Sequence, residues 1–275
     1  MKRYRVFLMI LCLCVIIPTL NSCALFRKTQ SYCKFENRPD FGGYALSGVD
    51  ESYNRKKFEV PEFDSLGNKV VGVWHGAIAT NDEIEEVIIG DHIEWLSPAA
   101  LFDLPNLKKV YIGKGVSRIE RGLFEKCPNL ETVVIDPQNP YFKSEGGLIL
   151  TKDGKTLVRG WGKVDKIPDS VETIQYLAFF QNQHLEALEI PESVKEIEWE
   201  AFYDCNNLKT VSIPASVGVI GQCAFYRCEN VTVYLKMPSA KPTFDKDWNL
   251  LDYNSKTDIL SYVTVVFQPD EGDAR

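Results

Sequence analysis

The chain has 275 residues, 45% of them hydrophobic, a net charge of −7 and a pI near 5.2. That supply of apolar residues is enough for a substantial core. Beyond the extreme N-terminus Lys and Arg gather in no run longer than Arg55-Lys56-Lys57, too short for the basic footprint of a nucleic-acid binder. Acidic residues are scattered, as on an ordinary solvated surface.

Lys2, Arg3 and Arg5 precede a short apolar run over residues 6–17, too short for a good transmembrane helix. Leu20-Asn21-Ser22-Cys23 comes next and resembles the lipobox of bacterial lipoproteins. The resemblance implies a signal peptide over 1–22 and an acylated Cys23. The alternative is a plain secretory signal cleaved near Ser22. An acylated Cys23 implies a protein held on a membrane by its lipid. Residues 23–40, polar and without periodicity, read as a lipid-anchored tether. Residues 41–61 have strand character with Gly42, Gly43 and Gly48 as turn signals, which predicts a first hairpin covering the open end of a repeat stack.

The chain then repeats every 23 residues. The clearest copies are LEALEIPESVKEIEWEAFYDCNN (185–207) and LKTVSIPASVGVIGQCAFYRCEN (208–230). Their shared template has Leu at position 1, an aliphatic at 4, Ile-Pro at 6–7, Val at 10, Ile at 13, Ala-Phe at 17–18 and Cys at 21. Residues 84–106 and 107–129 fit it with Gly90 and Gly113 in place of Pro, while 61–83 and 162–184 keep mainly the second half. Leu130, Val133 and Ile135 begin a further unit on schedule. Residues 136–161 interrupt it: two apolar runs, 148–150 and 157–161, flank Lys152-Asp153-Gly154 and predict an inserted β-hairpin projecting from the stack. After 230 the period is lost. Residues 231–235 read as the last ladder strand, 236–275 as a C-terminal cap with one more strand at 259–267 and a frayed acidic end.

Within a unit, the alternation of positions 4 and 6 places them inward from one short strand. Pro at 7 stops the strand. Positions 10, 13, 17 and 18 supply the opposite wall. One unit cannot bury this face alone, but stacked units make a continuous core. A 20–29-residue period with Leu-x-x-aliphatic-x-Ile is the leucine-rich-repeat signature. The fold class is therefore a leucine-rich-repeat solenoid over 41–235: a short parallel β-ladder on one face, irregular turns or short helices on the other, and the inserted hairpin. The Ile-Pro and Ala-Phe-x-x-Cys variant resembles the BspA-like, bacterial surface-antigen class, and so does the insertion (Asn139-Pro140, Phe142, Gly146-Gly147-Leu148, Lys152-Asp153-Gly154). That resemblance implies a non-catalytic scaffold binding macromolecules at the cell envelope, often in adhesion. A lipid-anchored member is expected at the outer membrane, facing either the surface or the periplasm.

Cys127, Cys205 and Cys228 share position 21. They read as a ladder of small buried residues; a Cys205–Cys228 disulfide between adjacent units is the alternative. His75, His92 and His184 share no template position, and no metal-binding or phosphate-loop pattern occurs, so neither metal nor cofactor is expected. The informative positions are 3 and 5, which point out of the ladder. Ile88, Tyr111 and Val134 at position 5 form an apolar column flanked by Glu86 and Lys109 at position 3. The column is a candidate surface for a protein or glycan partner, unless the hairpin or the N-terminal cap covers it or β-branched residues simply favour strands there. Two other readings stand beside it. One is a structural envelope protein using its hairpin or sheet edge. The weakest is a hydrolase built on the irregular C-terminal segment near Asp245, Asp247 and Trp248.

Overall fold

A computed structural model describes residues 31–241, 243–254 and 259–268. The signal peptide, Cys23, the first part of the tether and the acidic end lie outside the described residues. The described residues wind into a parallel β-solenoid of about 8 turns with almost no helix. Each full turn presents three faces. The first carries the strand of positions 3–6. The second carries a two-residue strand around position 13, as at Trp95–Leu96 and Glu196–Ile197. The third carries positions 16–20, as at Leu101–Phe102.

On the first face, Lys57–Glu59, Glu86–Ile89, Lys109–Ile112 and Thr132–Ile135 pair in parallel, one rung per unit. Val87, Ile89, Val110 and Ile112 point inward and are buried, while the alternate residues face out. After an interruption the same face resumes with Ala187–Glu189, Thr210–Ile213 and Thr232–Leu235.

The third face turns on strained corners. Positions 16 and 20 lie in the left-handed region in unit after unit, although most carry side chains: Ala99, Leu177, Glu200 and Cys223 at one corner, Thr80, Asp103, Lys126, Gln181, Asp204 and Arg227 at the other. Between them, Ala at 17 and Phe at 18 point into the core. The Phe179 and Phe202 rings lie 5.1 Å apart and 5° from parallel, and Phe202 and Phe225 are 5.0 Å and 3°. A stack of identical rings is what a gapless 23-residue repeat dictates.

Position 21 ties consecutive units. Cys205 Sγ donates to Phe179 O at 3.0 Å and Cys228 Sγ to Phe202 O at 2.8 Å. Asn182, at the same position one unit earlier, donates Nδ2 to Gly162 O at 3.0 Å. Cys and Asn thus do one job, handing a hydrogen to a carbonyl of the preceding turn. The thiols are free, so the structure has the ladder and not the Cys205–Cys228 disulfide.

The interruption is where sequence and structure differ most. Residues 136–161 form three antiparallel strands, Phe142–Glu145, Leu148–Thr151 and Thr156–Gly160. They do not project. Leu148, Ile149, Leu150 and Leu157 are wholly buried. Phe142, Ile149 and Trp161 belong to the core of the N-terminal units, whereas Leu148, Leu150 and Leu157 belong to the core of the C-terminal units. The meander is a wedge between two hydrophobic cores, because successive side chains of its middle strand leave opposite faces. Its last strand then pairs in parallel with Thr173–Ile174 and restarts the second face. Residues 163–167 form no first-face strand, so Val164 and Lys166 take no place in the ladder.

The ends also differ from expectation. Cys33–Arg38, inside the segment read as tether, is a strand, and it pairs antiparallel with Gly43–Val49. The hairpin therefore starts earlier than 41. Gly43–Val49 caps the second face by pairing with Val70–Val73. Phe41 stacks on Trp95 at 4.2 Å, and Arg38 lies 3.6 Å above the Trp74 ring. At the other end Thr232–Leu235 is not the last rung: Thr264–Phe267 pairs beyond it in parallel. Residues 259–267 are two strands, Ile259–Tyr262 and Thr264–Phe267, broken at the buried Val263. The segment at Asp245, Asp247 and Trp248 is a further turn. Ala224 N donates to Trp248 O, and the Trp248 ring packs edge-on against Phe225, so the irregularity that suggested a hydrolase site is absent.

Candidate functional site

The first face of the N-terminal half brings the five outward residues together. Ile88, Tyr111 and Val134 are direct partners across neighbouring strands, as are Glu86, Lys109 and Thr132 one row away. Rungs of a parallel sheet stand about 4.8 Å apart, so the column is a continuous strip. All three column residues are half-buried. Tyr111 is held upright: its hydroxyl donates to Asp136 Oδ2 at 2.6 Å. That bond holds the Asp136 carboxyl below its usual range and raises the phenol to about 12, with partial desolvation adding to the latter. Glu86 reaches Lys57 at 3.4 Å, Glu85 is bracketed by Lys56 and Lys108 at 2.6 and 3.0 Å, and Lys109 is exposed. The strip is apolar along its middle and charged along its border.

The C-terminal half offers a different first face. There the matching rows are Ala187, Thr210 and Thr232, and Glu189, Ser212 and Tyr234, crossed by a Glu189–Lys236 ion pair at 2.8 Å. The scaffold is the same, but the outward chemistry is polar.

A second concave site lies at the seam. The third-face ladder runs from Gly76 through Ala99 to Arg121, each N–H donating to a carbonyl of the next unit, and is picked up again where Gly160 N donates to Ala178 O. Between the two runs is a cleft of about 390 Å³, lined by Phe124, Leu130, Arg159, Trp161 and Phe180 among others. His184 closes one side, its Nε2 lying 2.6 Å from Pro128 O across the seam. Sequence reading missed this cleft, because it exists only where the wedge displaces one run of the ladder from the next. The sole signal was a charged residue, Arg159, inside the apolar run 157–161.

His75 Nδ1 meets Pro98 O at 2.8 Å, and His92 is half-buried, its pKa lowered mainly by desolvation. Among the described residues no group of His, Cys, Asp and Glu could hold a metal ion, and no helix is long and apolar enough to cross a membrane.

A family model described as BspA type Leucine rich repeat region (6 copies) matches residues 65–145 and 164–246. The chain belongs to the BspA-type leucine-rich-repeat family. The unmatched stretch between the two halves, 146–163, contains the whole of the wedge's second and third strands. Among solved structures, the pneumococcal vaccine antigen PcpA is similar at 16% identity over 77% of each chain, with a TM-score of 0.50. A leucine-rich-repeat protein of T. pallidum is similar at 20% identity over 74% of this chain and 79% of that one, TM-score 0.43. One from Bacteroides ovatus shows 20% identity over 74% and 46%, TM-score 0.42. No curated protein matches. The likeness to PcpA shows the fold, and the BspA-type family makes this a repeat-based protein of the bacterial cell-surface kind.

Proposed function

We propose that this BspA-type protein is a lipoprotein, anchored through Cys23 to the bacterial outer membrane, that binds a protein or glycan partner without catalysis through the first face of its N-terminal half. The observation that carries the reading is the strip of Ile88, Tyr111 and Val134, three apolar residues side by side at outward positions. Aromatic residues at the centre of a desolvated patch dominate binding energy, with charged neighbours at the rim. Tyr111 has that central place, with Glu86 and Lys109 beside it. The polar matching face of the C-terminal half supports assigning the contact to the earlier units.

The test is capture of envelope or host-surface components by the full chain and by Ile88→Ser/Tyr111→Ala. The double variant is expected to lose the captured partner while keeping the circular-dichroism spectrum of the parent. Equal capture by both would sink the assignment. The anchor has its own test: Cys23→Ser should move the protein from the membrane to the soluble fraction and abolish labelling by a radioactive fatty acid.

The structural alternative, in which the hairpin is a docking arm, has less to stand on. Its strands are buried between two cores, so deleting 140–158 would remove core residues of both halves rather than an appendage.

A further inference from the structure

Among the described residues, Arg159 is the one strongly basic residue with a buried side chain, 4% exposed, and it enters the seam cleft. Its Nη1 donates to Leu177 O, and its guanidinium carbon lies 5.9 Å from the Phe180 ring centroid. It forms no salt bridge with any described residue. Burial pushes its pKa down to about 10, against a weaker opposing pull from Glu125. A guanidinium has five N–H donors, and a buried cation without a counter-ion costs several kcal/mol. A chain that needed only filler here would be served by Met or Leu.

The surroundings narrow the chemistry that could complete the site. Phe124, Leu130, Trp161 and Phe180 give it apolar and aromatic walls. Its volume of about 390 Å³ is within the range of small-ligand pockets. Asp103 and Asp204 also line it. Asp204 is engaged, accepting from Gln181 Nε2 at 2.9 Å and Asn206 Nδ2 at 2.7 Å. Lys126 and Arg159 set two positive charges against Asp103 and Asp204 in the lining, so the cleft has no excess of positive charge to hold a doubly charged anion. That disfavours phosphate, sulfate and dicarboxylates. The planar fork of an arginine matches a carboxylate in two-point contact.

We propose that the seam cleft is a binding site for a single carboxylate carried on an aromatic or aliphatic body, the carboxylate against Arg159 and the body between the Phe124, Trp161 and Phe180 walls. The site is separate from the first-face strip and does not depend on it. The carboxylate has two possible sources, a free organic acid or the C-terminus of a peptide ending in an apolar residue.

The experiment is calorimetric titration of the full chain with phenylacetate, with phenylacetamide, and with a short peptide ending in Phe as free acid or as amide. The expected result is that at least one acid binds at least ~10-fold more tightly than its amide, the size of a lost charge-assisted hydrogen bond; which acid does so identifies the source. Arg159→Met should abolish the difference while leaving a folded protein. Should that variant fail to fold, the parent still decides: the Arg159 Nε–H resonance should shift on adding the acid and not on adding the amide. Equal binding of acid and amide, binding of neither acid, or an unmoved Arg159 resonance would each overturn the proposal.

Discussion

The Tyr111 hydroxyl donates to Asp136 Oδ2 at 2.6 Å, joining the centre of the apolar strip to the first residue after the last strand of that ladder. Asp136 also accepts from Gln138 N at 2.7 Å, so one carboxylate fixes both the tyrosine and the turn that leads into the wedge. The outward strip and the turn into the wedge thus share one carboxylate.

Tyr111→Phe should raise the Asp136 pKa toward the ordinary carboxylate value, read from the carboxyl carbon shift in an NMR titration. The stability consequence has a defined sign. The depressed folded-state pKa of Asp136 gives a contribution present above the unfolded value of about 3.9 and lost as pH falls through the folded one. The raised phenol pKa gives a contribution present below about 10 and lost as pH rises through about 12. The variant should therefore show a flatter stability–pH profile at both ends in urea melts. An unchanged Asp136 titration would show that the bond is not formed.

Asn139 is the most completely satisfied polar side chain in the seam. It is wholly buried, its Nδ2 donates to Gly113 O and Val116 O at 3.0 and 2.9 Å, and its Oδ1 accepts from Tyr141 N and Phe142 N, both at 2.8 Å. Asn139→Ala leaves four backbone groups without that partner. At about 1 kcal/mol or more for each group left buried and unpaired, the loss should be roughly 3 kcal/mol or greater. Urea denaturation measures it; a loss under ~1 kcal/mol would mean that water replaces the side chain.

The legible part of the fold is the part a repeat imposes. Leu-x-x-aliphatic-x-Ile, Ala-Phe and position 21 recur because every turn meets the same neighbours, so the strand rung, the Phe179–Phe202–Phe225 stack and the Cys ladder can be read from spacing alone. The outward strip is legible for the same reason, since register tracks the period. The seam is not periodic, and there the reading failed. Leu148, Ile149 and Leu150 carried a usable signal: an unbroken apolar run in a short strand means burial on both faces, whereas a projecting hairpin would alternate. Arg159 carried no comparable signal. Its surroundings come from residues 124, 130 and 180, which only the displaced ladder brings together. The left-handed corners were hidden too, because residues as different as Leu177, Glu200 and Cys223 occupy one of them.

The thiols should divide by burial. Cys205 and Cys228 are sealed in the core, and desolvation raises the Cys205 pKa well above the ordinary value. Cys223 is half-buried with its thiol pushed up to about 11, and Cys33, also half-buried, to about 12. Since the thiolate is the reactive form, Cys33, Cys205 and Cys223 should alkylate slowly at neutral pH, and Cys228 is shielded by its burial. Cys223 should go first, and Cys205 and Cys228 should react only on unfolding. Mass mapping after timed iodoacetamide exposure checks the order. A Cys205–Cys228 cross-linked peptide before any treatment would replace the hydrogen-bonded ladder with a covalent one.

The corners give a stabilising substitution. Thr80 is exposed, β-branched and held at φ 50°, where an L-residue pays about 1–2 kcal/mol relative to the right-handed region. Glycine adopts that angle freely, at an entropic cost of roughly 0.5–1 kcal/mol on folding. The strain released exceeds the entropy lost, so Thr80→Gly should stabilise by about 0.5–1 kcal/mol. Ala79→Gly, one residue earlier in a strand where φ is negative, gains no relief and should destabilise by a similar amount. Paired thermal melts of the two variants separate strain from a general response to glycine. If both variants melt below the parent, the left-handed corner at Thr80 stores no strain, and the matching corners at Asp103, Lys126, Gln181, Asp204 and Arg227 lose their explanation with it.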